Sequence, residues 1–349
     1  MYCPRSVYRA LELLRGGRAD DRWRDGFADR LTHPVPSRQA VNRLIRERGM
    51  RPDLRERSSI PVVRFARCKP AGPGEVAVTW VGHATCVVQI GGRTILTDPV
   101  WSRWIPGVRP RLTPPGLAFG ALPPIDAVVI SHDHFDHLDA PTIRRLPRDV
   151  PVLVPAGLRW WFLRYGFTQV RELDWWDTTD VGGVRFTFTP AHHWSKRTLF
   201  DTCKSLWGGW MMTAGEDQRQ VYFAGDSGYG PSFAEIGQRL PGTDVALLPV
   251  GAYLPRWFMK PYHMNPAEAV RACGDLGAER MVTIHWGAFV MSAETPMAPL
   301  RRAEKAWLAA GRDPEGFWGL AVGETRKLTA AEAVVPGGPE VGEAAGNPG

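Results

Sequence analysis

The sequence predicts an α/β sandwich, and two observations carry that prediction. Short apolar runs of strand length recur along most of the chain, and helical segments lie between several of them. Early in this series, Gly91-Gly92 joins two such runs, which is typical of a tight hairpin. With 349 residues, 44% of them hydrophobic, the chain can form one large core and an accessory segment.

Composition divides the chain into three segments. We predict a basic, helical N-terminal extension over residues 1–74, a main domain over 75–328 and a disordered tail over 329–349, which is rich in Ala, Gly, Pro and Glu. The first 75 residues hold 17 Lys and Arg against 9 Asp and Glu, so they account for the net positive charge. The extension either docks on an anionic surface or forms a solvated helical arm.

Two helices are predicted in the extension. The first begins after Pro4, which suits a helix start, and ends at Gly16. The second runs from Arg38 to Arg48, with Ser37 as its N-cap.

Apolar runs predict nine strands in the main domain, and capping residues predict two helices. The strands are Val76–Val81, Cys86–Ile90, Arg93–Thr97, Ala127–Ser131, Val152–Pro155, Val184–Thr189, Val221–Ala224, Val245–Val250 and Met281–Ile284. The helices are Pro141–Leu146 and Pro266–Leu276.

A histidine-rich segment, HDHFDH at residues 132–137, is the strongest chemical feature. It directly follows an apolar strand, and a loop there can divide its side chains between two neighbouring metal ions. His132 and His134 would hold one ion, and Asp136 and His137 the other. Imidazole and carboxylate ligands suit Zn²⁺, and also Mn²⁺ or Fe²⁺.

Three further ligand-type residues, His193, Asp226 and His285, each lie just past the end of a predicted strand. Because α/β folds gather their sites at the carboxyl ends of strands, we expect these residues to complete a two-metal site. Asp226 is the natural bridge between the ions. A metal lowers the pKa of its bound water from about 15.7 towards about 7, so a shared hydroxide would be the nucleophile at neutral pH.

Three residues near the predicted ligands, His192, Asp98 and His83, could be ligands or could support them. His192 stands beside His193, and adjacent side chains point to opposite sides, so we choose His193 as the ligand. Asp98 either fixes the tautomer of a ligating histidine or forms a turn before Pro99. His83 is expected to be a buried, hydrogen-bonded residue near the site.

The ligand series HxHxDH…H…D…H resembles the metallo-β-lactamase superfamily. Seven segments are further similar to the N-acyl-phosphatidylethanolamine-hydrolysing phospholipase D family, over about residues 75–328. They are TWVGHAT (79–85), LPPIDAVVISHDHFDHLD (122–139), ELDWWD (172–177), HWSKRTLFD (193–201), LWGGW (206–210), AYLPRWFMK (252–260) and IHWGAF (284–289).

This resemblance implies a four-layer αβ/βα sandwich with two zinc ions. It implies hydrolysis of an N-acyl-phosphatidylethanolamine-like phospholipid to phosphatidate and an N-acylethanolamine. The candidate catalytic residues are Asp136 and His263, because His263 matches a family histidine near the substrate phosphate. The chain departs from the animal pattern of the family near the site, at Asp133, Phe135, His192 and Tyr262.

Five residues are candidates for contact with the substrate. Lys196, Arg197 and Arg256 would bind its phosphate, since Arg can donate to two oxygens at once, and solvated charge is the alternative. Trp257 begins an apolar run that suits a lipid-facing rim or the core. Tyr262 lies beside His263 in sequence.

Two other functions remain open: a lactonase or phosphodiesterase acting on a soluble metabolite, and a nuclease. The basic extension would permit a nuclease, but no basic–aromatic motif is visible, so we expect no nucleic-acid partner. No apolar stretch is long enough for a membrane span, and the first residues lack a signal core. We expect a cytoplasmic protein with reduced cysteines; peripheral contact with the inner membrane face and homodimerisation are both compatible with the sequence.

Overall fold

Two seven-stranded β-sheets lie face to face and are covered on their outer faces by helices. The computed structural model describes residues 23, 25–47, 52–63, 66–72 and 74–329. The helix predicted between Pro4 and Gly16, and the predicted tail beyond residue 329, lie outside the described residues.

The first sheet is antiparallel at one side and parallel at the other. Its strands, in spatial order, are β14 (Thr325–Leu328), β1 (Val76–Gly82), β2 (Thr85–Ile90), β3 (Arg93–Thr97), β4 (Ala127–Val129), β5 (Val152–Pro155) and β6 (Val170–Leu173). Neighbours are antiparallel from β14 to β3 and parallel from β3 to β6. The predicted hairpin is confirmed: Gly91 and Gly92 both have positive φ, which a tight turn between twisted strands requires.

The second sheet has the same mixed character. Its strands, in spatial order, are β13 (Phe317–Trp318), β12 (Arg280–Ile284), β11 (Val245–Pro249), β10 (Arg219–Phe223), β9 (Gly209–Ala214), β8 (Val184–Thr189) and β7 (Thr178–Val181). Neighbours are antiparallel from β7 to β10 and parallel from β10 to β13. As a result β8, β10, β11 and β12 run in one direction and end at one edge of the sheet.

Seven α-helices belong to the described part of the chain. They are α1 (Arg38–Arg46), α2 (Ala140–Ile143), α3 (Arg159–Leu163), α4 (Ser232–Arg239), α5 (Arg256–Met259), α6 (Pro266–Asp275) and α7 (Ala298–Ala309). Ile143 of α2 and Phe162 of α3 pack on the outer face of the first sheet. Ile236 of α4 and Trp307 of α7 join the core on the side of the second sheet, where α6 contacts β11 and β12.

Large aromatic residues fill the space between the sheets. Trp80 from β1, and Phe188 and Trp210 from the second sheet, are fully buried in one cluster. The Trp210 indole also donates to the carbonyl of Ile130 at 2.9 Å, which ties the two sheets together. Truncating a buried aromatic of this kind typically destabilises a domain by about 3–5 kcal/mol. The layers run helix, sheet, sheet, helix, so the expected four-layer αβ/βα sandwich is confirmed.

Some element predictions differ from the structure. The second helix of the extension keeps its Ser37 cap, which accepts the Ala40 N–H at 3.1 Å, but ends at Arg46. Five strands, β6, β7, β9, β13 and β14, were not predicted. They are short or carry polar and glycine residues, so the apolar run that marks a buried strand is absent.

Part of the predicted extension is packed into the main domain. Phe27 is 2% exposed and belongs to the central cluster, as does Ile60. The four described cysteines are free thiols. Among the described residues, no helix combines the length and apolar character that crossing a bilayer requires.

Candidate metal centre

The histidine-rich segment turns sharply just after β4. The His137 and Leu138 N–H groups both donate to the carbonyl of His134, at 3.1 and 2.8 Å. The turn keeps all four side chains of the segment close together: the His132 ring lies 4.5 Å from the His134 ring and 4.2 Å from the His137 ring, measured between centroids. The division of these ligands between two metal ions stays a prediction.

The remaining predicted ligands reach the same place from the second sheet. His193 follows β8, Asp226 follows β10 and His285 follows β12, and these strands end at a common edge. The structure thus brings together all seven residues, which we call the donor cluster: His132, His134, Asp136, His137, His193, Asp226 and His285.

Three imidazoles form the first half of the donor cluster. His134 Nδ1 lies 2.9 Å from His132 Nε2 and 3.2 Å from His193 Nε2. Zinc–nitrogen bonds of about 2.0–2.1 Å in tetrahedral geometry separate ligand atoms by about 3.3 Å. The three nitrogens are therefore spaced as ligands of a single ion.

The second half combines carboxylates and imidazoles. Asp136 Oδ2 lies 3.4 Å from His137 Nε2 and 3.5 Å from His285 Nε2. Asp226 lies 3.1 Å from His137 Nε2 through Oδ2 and 3.2 Å from His285 Nε2 through Oδ1. Its Oδ2 is also 4.0 Å from His193 Nε2 in the first half. Asp226 thus touches both halves, as a bridging ligand would.

Several donor atoms have no hydrogen-bond partner among the described residues. They are His137 Nε2, Asp226 Oδ1 and both ring nitrogens of His285, all buried. Unpaired polar atoms are rare in protein interiors because they lose their hydration without compensation. Cations placed between these atoms would satisfy them, so the donor set fits a divalent metal.

The pKa shifts within the donor cluster also fit a divalent metal. Burial alone would raise the pKa of Asp226, but nearby His137 and His285 lower it well below its usual value. Burial lowers the pKa of His285, yet Asp226 and Asp136 raise it to about 9. Burial, with neighbouring histidines, lowers the pKa of His132 well below its usual value. The second half therefore attracts positive charge, while the first presents a neutral imidazole.

Two residues outside the donor cluster hold its members in place. Asp98 Oδ2 accepts from His137 Nδ1 at 2.7 Å, and this carboxylate also takes the Ser131 N–H and hydroxyl. A carboxylate on Nδ1 leaves the His137 Nε2 lone pair for a metal. His83 Nε2 lies 2.9 Å from Asp136 Oδ2 and is buried, as expected.

The choice between the two adjacent histidines follows from their orientations. His193 Nε2 points into the donor cluster, whereas His192 Nδ1 contacts the Thr32 hydroxyl at 3.0 Å. His263 lies at the edge of the cluster with Nδ1 3.8 Å from Asp226 Oδ2, and burial lowers its pKa to about 4.

The predicted phosphate-binding arginines are already engaged by the protein. Arg197 Nη1 donates to the carbonyls of Asp133 and Leu138 at 2.6 and 2.8 Å, and its guanidinium lies over the Phe135 ring. Arg256 donates to the His263 carbonyl at 2.9 Å and to both Glu268 oxygens. Both arginines brace loops that carry site residues, and contact with a phosphate remains a prediction for them.

The other three substrate candidates have different surroundings. Lys196 is partly exposed beside His134. The Trp257 ring is 39% exposed and lies beneath the Arg43 guanidinium, at 4.1 Å. Tyr262 is 7% exposed, and its hydroxyl donates to the carbonyl of Pro34.

The sequence analysis assigned no supporting role to two residues that support the site. The Ser131 hydroxyl lies between Asp98 and His132, with Nδ1 of His132 at 2.9 Å. Asp133 accepts the Lys196 N–H and the Ser205 hydroxyl, which ties the loop after His193 to the histidine-rich segment. The position of Asp133, an acid between two ligands in a motif after a buried strand, was the available indication.

An open groove of about 350 Å³ begins at the first half of the donor cluster. It is lined by His134, Phe135, Trp194, Lys196, Arg197, Thr198 and Leu199. At its outer end, Leu199 and the adjacent Phe200 are 82% and 91% exposed. The groove therefore connects donor atoms to an apolar, solvent-exposed tip.

Known proteins are similar to this chain in sequence and in fold. Residues 93–286, which include the whole donor cluster, match the β-lactamase superfamily domain. An uncharacterized protein of Mycobacterium tuberculosis (strain ATCC 25618 / H37Rv) is 40% identical over 73% of this chain and 72% of its own length.

Two further matches carry functional names. N-acyl-phosphatidylethanolamine-hydrolyzing phospholipase D 1 of Caenorhabditis elegans is 38% identical over 67% of this chain and 70% of its own length. A metallo hydrolase from Ignicoccus hospitalis has a similar structure, with a TM-score of 0.58 and 25% identity over 73% of this chain and 99% of that one.

Proposed function

We propose a function from one premise: the chain belongs to the metallo-β-lactamase superfamily and, within it, to the family of N-acyl-phosphatidylethanolamine-hydrolysing phospholipase D. It is a metal-dependent hydrolase. Its substrate is an N-acyl-phosphatidylethanolamine-like phospholipid, which it cleaves to phosphatidate and an N-acylethanolamine.

The donor cluster supports the hydrolytic part of this proposal. Two divalent cations, Zn²⁺ by the chemistry of the donors, would polarise phosphoryl oxygens and lower the pKa of a bound water from about 15.7 towards about 7. The chain would hold both ions in one site, because Asp226 lies near donor atoms of both halves. Asp136 completes the second half and is itself oriented by His83.

His263 is the residue that we assign to the leaving group. Its side chain is 15% exposed, and its Nδ1 has no hydrogen-bond partner among the described residues. It lies beside the donor cluster and is not one of the seven residues that form it. Because its pKa lies at about 4, the imidazole is neutral at pH 7. It would accept the proton that the attacking water loses and pass it to the departing alcohol oxygen.

The groove is the observation that carries the choice of a lipid. A phosphodiester beside His134 would place its phosphate near Lys196, a partly exposed cation that lines the groove. An acyl chain can then follow Phe135 and Trp194 outwards to Leu199. A soluble metabolite would leave this apolar path and its exposed tip without a function.

A peripheral membrane contact fits the same geometry. The exposed tip, Leu199 and Phe200, is apolar and stands next to the cationic residues Lys196 and Arg197. Apolar tips beside basic residues suit insertion into an anionic lipid surface.

Vesicles that contain N-palmitoyl-phosphatidylethanolamine test the proposal. The purified, metal-analysed protein is expected to release phosphatidate and N-palmitoylethanolamine, detected by mass spectrometry. The double variant Leu199→Ser, Phe200→Ser is expected to lose about tenfold or more in vesicle turnover, because each apolar side chain contributes on the order of 1.5–3 kcal/mol when buried. Its turnover of the soluble diester bis(4-nitrophenyl) phosphate should stay unchanged.

Leu308→Ser is the matched control. Leu308 is 53% exposed on α7, so this substitution removes an apolar surface side chain that does not line the groove. It should affect neither substrate. Equal vesicle turnover in all three proteins would exclude the groove as the lipid path. Hydrolysis of soluble lactones or nucleotides without any lipid product would support the rival functions.

A further inference from the structure

A strap formed by residues 26–35 crosses the wall of the metal centre and is fixed at its start. The Phe27 N–H donates to the Cys203 carbonyl at 2.7 Å, and the Phe27 ring is buried in the central core. Arg30 donates to both oxygens of Asp174, each at 3.2 Å, and lies over the Trp175 ring. Two-point ion pairing and core burial hold this part of the strap in register.

The far end of the strap contacts two residues next to proposed site histidines. The Thr32 hydroxyl lies 3.0 Å from Nδ1 of His192. The Pro34 carbonyl accepts the hydroxyl of Tyr262. Because Tyr262 is buried and precedes His263, the strap is connected to the segment that carries His263.

The backbone of Tyr262 in turn orients a member of the donor cluster. Its carbonyl lies 3.1 Å from Nδ1 of His193. A carbonyl oxygen can only accept, so the His193 proton resides on Nδ1 and the Nε2 lone pair is left free. Nε2 is the atom that lies 3.2 Å from His134 Nδ1 in the first half. A fixed tautomer and ring orientation are what metal-ligating histidines require from their outer contacts.

We infer that Tyr262 is a positioning residue that couples the strap to the first half of the donor cluster. The route runs from Pro34 to the Tyr262 hydroxyl, and from the Tyr262 carbonyl to His193. Arg256 donates both to the carbonyl of His263, the residue after Tyr262, and to Glu268 on α6. Tyr262 is therefore held by the strap through its hydroxyl and by Arg256 through the neighbouring backbone. The inference rests on the metal-binding part of the proposed function and is independent of the lipid substrate.

Tyr262→Phe is the direct test, because it removes one hydroxyl and keeps the buried ring. Zinc content under increasing chelator should show one of the two ions held about tenfold more weakly, the size of effect typical of lost outer contacts. The absorption bands of the Co²⁺-loaded protein should shift, since His193 would be less tightly oriented. The second ion should be retained as in the unaltered chain.

The matched control is Tyr229→Phe, which removes a hydroxyl that donates to Asp275 at the end of α6. It should leave both ions and the spectrum unchanged. Arg30→Ala loosens the strap at its other end, and we expect a weaker effect in the same direction as Tyr262→Phe.

Unchanged zinc retention and an unchanged Co²⁺ spectrum in Tyr262→Phe would overturn the inference, and so would equal changes in Tyr229→Phe. If the unaltered chain bound metal but hydrolysed no phospholipid, the proposed substrate would fail while the positioning role survived. If it bound no metal, both would fail.

Discussion

The donor cluster and the outer end of the groove differ in how their side chains are held. In the donor cluster, three members have hydrogen-bond partners that hold them in place. Asp98 is the partner of His137, the Tyr262 carbonyl that of His193, and His83 that of Asp136. At the groove's outer end, Leu199 and Phe200 are more than four-fifths exposed. A side chain with fixed partners can present one atom at one point, as metal binding demands, whereas an exposed apolar tip can adapt to a fluid surface.

This contrast predicts that changes in the donor cluster abolish chemistry, changes in the supporting contacts weaken it, and changes at the groove affect stability or substrate choice.

The largest effect is expected from Asp226→Asn. The neutral amide cannot balance two cations, so the protein should bind at most one ion. Phosphodiester turnover should fall by more than about 100-fold, because losing a residue that only supports a metal ligand already costs about 10–100-fold. Metal analysis and turnover of a soluble diester measure both, and circular dichroism checks the fold.

Asp217→Asn serves as the control for this change, because Asp217 is an exposed acid in the turn between β9 and β10. Two ions retained with near-normal turnover in Asp226→Asn would show that this residue does not bridge the halves of the donor cluster.

A smaller loss is expected from Asp98→Asn. The amide can still accept from His137 Nδ1 but no longer carries the charge that makes the imidazole a stronger ligand. Zinc affinity and turnover should each fall by about 10–100-fold. Asp139→Asn is a matched change at a buried carboxylate that accepts from Ser102 and Thr142, and no histidine among the described residues is hydrogen-bonded to it. Equal losses in the two variants would indicate a general effect of buried charge.

The smallest effect on turnover is expected from Arg197→Lys. Arg197 lies between the donor cluster and the outer end of the groove, so this variant tests where the one region ends and the other begins. A lysine ends one atom short of the Nη1 position that donates to the Asp133 and Leu138 carbonyls, and it has no planar group to lie flat over Phe135. We expect the free energy of unfolding to fall by about 1.5–3 kcal/mol in denaturant titrations, with a severalfold loss of turnover at most. A raised KM with unchanged stability would instead assign Arg197 to substrate binding.

The comparison also explains which predictions from sequence succeeded. The donor cluster was predictable because each member follows a strand, and strand direction brings these ends to one edge; HDHFDH adds four ligand types in six residues. Substrate contact stays a prediction for Arg256 and Tyr262, whereas their hydrogen bonds to Glu268 and to the Pro34 carbonyl were not predicted from the sequence. The partner of a long polar side chain depends on segments distant in sequence, and no local pattern encodes it.

Strand prediction had a similar limit. Val184–Thr189 alternates and was predicted with its observed bounds, whereas its partner Gly209–Ala214 begins with glycine and was read only as part of a tryptophan-rich motif. The second strand is defined by pairing on both sides, which only the assembled sheet supplies.

By itself, the sequence determined the fold class and the identity of the donor cluster, because strand periodicity and ligand type are local properties of the chain. The tertiary structure decided the distances within the cluster, the position of Asp226 near both His137 and His193, and the contacts that Asp98 and Tyr262 make with Nδ1 of His137 and His193. It also decided that residues 26–35 pack against the site. These outcomes depend on distances of a few ångströms between segments far apart in the chain, and such distances are set only when the two sheets pack together.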